Sequence, residues 1–322
     1  MNDQNIFAKK PEGSEAWDVA IIGSGPAGLT AAIYTTRGAA STIVLGGENW
    51  GGQLMLTTTV DNFPGFPDGI QGPDLMKNMR DQVERFGAVF VQKNASYVDF
   101  SKNPYTIRTS EAEYLAKSVI IATGASNKWL GVEGEQELLG RGVATCAPCD
   151  APFYKNKKVA VVGGGDSAMT EALVLTKYAD KVTLIHRRGE FRASAAMQKR
   201  VVENTKIEVL WNTEVTRIVG QNKVEKIALM NNKDNKQSDL EVDGVFIAVG
   251  HKPDSDLFKG PIEMDERGYV IVKDHTKTNL EGVFVAGEVH DQHYRQAITT
   301  AGFGCMAGMD ALRYLDKNVP SW

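Results

Sequence analysis

Cysteine is scarce in this chain: three in 322 residues, too few for the disulfide framework that staples small secreted domains. No apolar run reaches the roughly 18 residues of a membrane-spanning helix, so no membrane partner is expected. Positive charge is not in excess either. Lys and Arg total 36 against 40 Asp and Glu, a formal net charge of -4, and no broad basic face for nucleic acid or an anionic membrane is implied. Met1 to Trp17 lacks both an apolar core segment and arginine. It reads as a polar tail, neither a secretory signal nor a transit peptide. What remains is an ordinary globular composition, 42% hydrophobic and 24% charged, long enough for two domains. A reducing, cytoplasmic setting suits so few cysteines.

An internal repeat organises the chain. The segment Val19-Ala-Ile-Ile-Gly23-Ser24-Gly25-Pro26-Ala27-Gly28 returns 140 residues later as Val159-Ala-Val-Val-Gly163-Gly-Gly165-Asp166-Ser167-Ala168. Each copy reads as a buried strand, a glycine turn and an alanine-rich helix, followed by a second strand near 41–45 and 181–185. These are βαβ beginnings of parallel sheets. In the first loop, glycines at the three fingerprint positions permit a tight turn, backbone approach to a pyrophosphate and close helix packing; the helix N-terminus supplies N–H groups to the anion. The acid that often ends the second strand is absent, since Leu45 is followed by Gly46-Gly47-Glu48, and Glu48 could serve only from the loop. In the second copy the strand ends in His186-Arg187-Arg188, with Arg192 beyond. Arginines there suit the 2′-phosphate of NADP; a solvated basic turn is the bland alternative.

Cys146-Ala-Pro-Cys149-Asp150 lies just ahead of the second loop. A zinc site would need about four ligands, and only Cys305 and His186, His251, His275, His290 and His293 remain, with no second CxxC. No metal is expected. A redox dithiol fits the spacing better, because the two sulfurs can meet within one turn. Asp150 could exchange the proton of a thiol or could serve as a turn or helix-cap residue. Cys305, in a run of small residues, reads as a buried structural thiol at the start of a helix.

Two strand-like runs, Ser118 to Gly124 and Gly244 to Gly250, bracket the second copy and are read as crossing points between domains. The expected fold is α/β: two Rossmann-like three-layer dinucleotide-binding domains, one inserted into the other. The boundaries are a tail over 1–17, a discontinuous domain over 18–124 and 250–322, and the insert over 125–249.

With these motifs in place, the chain resembles the low-molecular-weight, bacterial-type thioredoxin reductases from Trp17 to Asp316. The resemblance rests on both loops, the CxxCD motif, Gly51-Gly52-Gln53-Leu54, Asn62-Phe-Pro64-Gly65-Phe-Pro67, Ala122-Thr123-Gly124, His186-Arg-Arg-x-x-x-Phe191-Arg192-Ala193, Gly250-His251-x-Pro253 and Tyr294-Arg295-Gln296-Ala297. It implies FAD in the first module, held by the Gly23–Gly28 loop, Gly52, Gln53, Asn62, Thr123, Gly124, Gly287, Glu288, Arg295, Gln296 and Ala297. It implies NADPH in the insert, on Gly163, Gly165, Asp166, Ser167, His186, Arg187, Arg188 and Arg192. Here Glu288 stands where the family has aspartate, keeping the charge and adding a methylene; Pro148 and Ala151 also depart from the usual pattern. The implied route runs from NADPH through FAD to the Cys146–Cys149 disulfide, with Cys149 nearer the flavin, Cys146 attacking the partner disulfide and Asp150 managing the proton. Thioredoxin is the implied partner, a homodimer through the FAD domains the implied assembly, and rotation of the insert the implied motion. Rivals are a dithiol oxidase of the same fold, which would not need the arginines, and a ferredoxin or flavodoxin–NADP reductase, which would lack the cysteine pair. A peroxiredoxin-reducing flavoprotein would need a further N-terminal domain, and a non-catalytic nucleotide-binding redox sensor would have a degraded flavin site.

Overall fold

The structure, a computed structural model, describes residue 13 and residues 15–316. Most of the polar tail expected over 1–17 lies outside them, and its last two residues, Ala16 and Trp17, already belong to the first strand. The chain divides into two compact units, one built from the residues up to 126 together with those from 252 onward, the other from residues 127–251.

The first unit begins with β1 (Ala16–Ile22), α1 (Pro26–Arg37) and β2 (Thr42–Leu45). A short hairpin, β3 (Thr59–Val60) with β4 (Ile70–Gln71), leads into α2 (Gly72–Arg85) and β5 (Val89–Val91). A meander of β6 (Tyr97–Asp99), β7 (Tyr105–Arg108) and β8 (Glu113–Ile121) follows. β8 pairs with β1 and is long enough to divide its pairing further between two strands. Its first half pairs antiparallel with β7, while Val119–Ile121 pair parallel with β19 (Val283–Val285), which arrives after the insert. The parallel strands run β5-β2-β1-β8-β19. Alternate residues of β1 serve opposite faces, as strand pleating requires. Val19 and Ile21 pack with Leu29 and Ala31 of α1 and Ala307 of α6 (Ala297–Leu315); Ala20 and Ile22 share a core with Tyr105 and Ile107 of the meander. Both faces being covered, Val19–Ile22 form a continuous apolar run.

The insert repeats this plan. β9 (Ala125–Asn127) leads into it and β18 (His251–Pro253) leads out, and the two pair as a ribbon. β10 (Val143–Ala144), β11 (Lys158–Val162), β12 (Lys181–His186), β13 (Ile207–Trp211) and β17 (Gly244–Ile247) form a parallel sheet in the order β10-β17-β11-β12-β13. α3 (Ala147–Asp150), α4 (Asp166–Leu175) and α5 (Ala195–Val202) belong to this unit. Val159 and Val161 pack with Met169, Ala172 and Leu175 of α4. Ala160 and Val162 pack with the antiparallel meander of β14 (Thr213–Val219), β15 (Lys226–Asn231) and β16 (Gln237–Glu241). Among the described residues no helix is long and apolar enough to cross a membrane.

Candidate active site

In the first unit the loop from β1 turns at Gly23, whose φ of +115° and closeness to the Ala122 carbonyl leave no place for a side chain. Gly28 likewise lies against the Gly23 carbonyl, so α1 seats directly on the turn. Pro26 starts α1, and no side chain caps it. Its first N–H groups are therefore available to an anion. A Cβ at Gly25 would meet open space.

Opposite this turn stands Gly287, within contact of Ala27 and of Thr300 on the first turn of α6. Among the described residues Thr300 Oγ1 is buried without a hydrogen-bond partner, and so is His290 Nε2 nearby in sequence. Two helix N-termini and an unpaired hydroxyl thus converge on one cradle, which fits an extended, phosphate-bearing cofactor such as FAD. Glu288, beside the cradle, has its carboxyl pushed up to about 7 by burial, partly countered by Arg295. Gln296 is the N-cap of α6 in a capping box with Thr299, and its side-chain oxygen accepts from Asn62 Nδ2 at 3.2 Å. Ala297 is the first residue of that helix. Gln53 Nε2 reaches the Ala125 carbonyl at 3.4 Å from the 3-10 turn that begins at Gly52. Thr123 Oγ1 donates to the Asp254 carbonyl, and Gly124 accepts from the Asp254 amide.

Two residues in this unit carry more than their sequence suggests. Ser24 turns its hydroxyl inward, donating to Gly46 O and accepting from Gly51 N, so it fastens the loop and leaves only its backbone for a ligand. Asp291 accepts from the amides of His293, Tyr294 and Arg295 and so shapes the loop ahead of α6, with Arg295 at φ +50°. Sequence reading passed over Asp291; its signal is an acid followed by a run of residues that needs a turn.

In the insert, the Gly163–Ala168 loop starts α4, which again lacks a side-chain cap, and Gly165 faces open space. Ser167 is exposed at the first turn. Asp166 reaches away from the turn, accepting from the amide and hydroxyl of Ser194 and anchoring the start of α5; those hydrogen bonds lower its carboxyl from the usual range. His186 is buried beneath Gly164, close to Phe191 and Trp211, with Nε2 at 2.9 Å from the Glu190 carbonyl. Burial lowers its pKa. It props the loop from beneath. Arg187, Arg188 and Arg192 are exposed, with no ion-pair partner given by any carboxylate among the described residues. Their backbone is held by Asn232, Asn212 and Gly164 respectively. An uncapped helix with three such guanidiniums fits a phosphate-bearing dinucleotide.

Cys146 and Cys149 are joined as a disulfide with Cα atoms 5.3 Å apart. Cys146 is the N-cap of α3, and its carbonyl accepts from the amides of Cys149 and Asp150. Asp150 caps no helix with its side chain. Burial pushes its carboxyl up to about 6, and burial together with Asp150 and Asp243 pushes Tyr154 up to about 12. Cys305 differs from expectation. It sits well inside α6, only partly buried, with Met309 at 3.9 Å and Tyr34 as a further neighbour. Glycine and alanine fill the inward positions of that helix, which leaves the thiol at its outer side.

Residues 17–304 match the pyridine nucleotide-disulphide oxidoreductase family. The chain belongs to that family. A protein named thioredoxin reductase from Rickettsia conorii is 49% identical over 304 residues, spanning 93% of this chain and 98% of that protein. Another of that name from Mycolicibacterium smegmatis is 50% identical over 299 residues, spanning 92% and 96%. Among solved structures, a thioredoxin reductase from Giardia duodenalis superposes with a TM-score of 0.90 at 41% identity, covering 94% of this chain and 99% of that one.

Proposed function

We propose that this protein is an NADPH-dependent thioredoxin reductase. The observation that carries this reading is the Cys146–Cys149 disulfide placed in the same unit as an arginine-flanked dinucleotide loop. The unit around β1 holds FAD on the residues of its cradle, with boundaries near 18–124 and 250–322; the insert, near 125–249, holds NADPH. When bound, these two groups supply two-electron transfer from a nicotinamide by way of a flavin. The chain's own residues do the rest. Reduction opens the disulfide with two electrons and two protons, and Cys146 leaves as the thiol. Asp150, whose carboxyl sits close to neutrality, gives and takes back that proton. Cys146 then attacks the disulfide of thioredoxin, and Cys149 closes the mixed disulfide to release the reduced partner.

The insert carries both the thiols and the NADPH loop, so it must present each in turn to a flavin held by the other unit; rotation about the β9–β18 ribbon provides this. The exposed apolar side chains Tyr34, Ile298 and Met309 around α1 and α6 support a homodimer formed through the first unit. The setting is cytoplasmic, where NADPH is the available reductant.

An anaerobic NADPH titration followed at the flavin absorbance tests the reading. About two equivalents per subunit are expected, one for the flavin and one for the disulfide. Cys146→Ser should lower this to about one, keep flavin reduction and abolish thioredoxin turnover. One equivalent in the unsubstituted protein would instead identify a reductase of an electron carrier.

A further inference from the structure

Glu171 lies on α4, little more than one turn beyond the loop residues Gly165 and Asp166, and is partly buried. Its carboxylate Oε2 accepts the backbone N–H of Ala147, the residue between Cys146 and Pro148. Ala147 is fully buried and shares a core with Met169 and Ala172, the residues of α4 that flank this contact. The carboxylate thus joins the helix of the nucleotide loop to the backbone of the redox motif. That amide is the one that joins Ala147 to Cys146, so the carboxylate sits on the backbone next to the cysteine.

We propose that Glu171 is a positioning residue for the redox pair: its carboxylate fixes the turn at Ala147 and sets the acidity and reduction potential of Cys146. This rests on the disulfide-reductase reading above. Amides at the start of a helical turn favour thiolate; a carboxylate that occupies one of them and brings a like charge opposes it. Reduction is disulfide plus two electrons and two protons to dithiol, so whatever disfavours thiolate disfavours the reduced form above the thiol pKa. Glu171 therefore keeps the released Cys146 protonated and makes the pair a stronger reductant. Asp150 on its own turn, Tyr154 on the next with Lys157 over its ring, and Asp243 beside Tyr154 also stand about the motif.

The test uses the full flavoprotein with dithiothreitol and its cyclic disulfide as the redox couple. Glu171→Gln keeps an oxygen for the Ala147 amide and removes the charge; Glu171→Asp keeps the charge and shortens the reach. Alkylation of Cys146 by iodoacetamide is followed against pH, and the dithiol-to-disulfide ratio is read at about pH 9, above the ordinary thiol pKa. In Glu171→Gln the alkylation midpoint should fall by about one pH unit. The ratio should rise up to about tenfold, which is about 30 mV. Glu171→Asp should stay close to the parent in both. Coincidence of Glu171→Gln with the parent overturns the proposal. So does a shift in Glu171→Asp as large as that in Glu171→Gln, which marks a packing role alone. Neither readout uses NADPH or thioredoxin, so failure of the reductase reading would show separately in the titration.

Discussion

Two buried carboxyls give the residue scale its pH dependence. Asp150 is raised from 3.8 to about 6 and Glu288 from 4.5 to about 7, each chiefly by burial. A carboxyl raised on folding binds its proton more tightly in the native state. Its contribution is therefore fully present below the unfolded value and is lost as pH rises through the folded one. For Asp150 that window is about 4 to 6, so the ionised side chain strains the fold at neutral pH. Asp150→Asn should be more stable than the parent at pH 8, by up to about 3 kcal/mol. It should match the parent near pH 3.5, and denaturant melts at the two pH values check this. The same variant should lose most disulfide turnover, since an amide cannot hold the proton of Cys146. The residue scale is also where sequence reading reached least far. Glu171 acts on Ala147, 24 residues away, and Thr300 matters through its place beside Gly287; nothing local announces either, whereas Asp291 shapes the turn that follows it. Ser24, Asp166 and His186 lie inside the expected motifs, yet their side chains bond to the protein itself and support the loops.

Strands and helices were far more legible. The 140-residue repeat marks both strand–turn–helix units because their signals are local: an unbroken apolar run, glycines at fixed offsets, then alanine. The branching of β8 was not legible. Nothing in Glu113–Ile121 reveals that its two halves take different partners, one of them from beyond the insert. At the end of β12, Arg187 and Arg188 stand exposed on a backbone fixed by Asn212 and Asn232. Charge there should choose the nucleotide. The double variant Arg187→Ala with Arg188→Ala should raise the KM for NADPH by roughly ten- to a hundredfold while leaving that for NADH nearly unchanged, as loss of charge-assisted phosphate contacts requires. Steady-state kinetics with both nucleotides check it.

For the whole molecule, one prediction concerns movement and one concerns assembly. If the insert serves the flavin by turns, a crosslink that pins Cys149 against it should abolish flavin reduction by NADPH, and stopped-flow absorbance reads this directly. If the apolar side chains around α6 meet a second copy, sedimentation should report twice the chain mass, and Met309→Glu should shift it toward the single-chain value. The repeat made two strand–turn–helix modules legible, and the glycine-ended runs Ser118–Gly124 and Gly244–Gly250 end just before the joins between the two units at 126/127 and 251/252. The expected homodimer has no local signal, because large apolar residues of α6 lie both against the core, as Phe303 and Leu312 do, and at the surface, as Ile298 and Met309 do.

The split strand pairing of β8 also orders events on the ribosome. The insert is one continuous stretch and can complete its sheet as soon as it emerges. The surrounding unit cannot: β19 and α6, which close its sheet and cover α1, are synthesised last. Vectorial synthesis thus leaves the nascent cradle at Gly23–Gly28 open until translation nears its end. Flavin capture is then a late step of biogenesis, and an abortive chain ending before β19 carries the thiol pair and the arginine-flanked loop without a completed flavin seat.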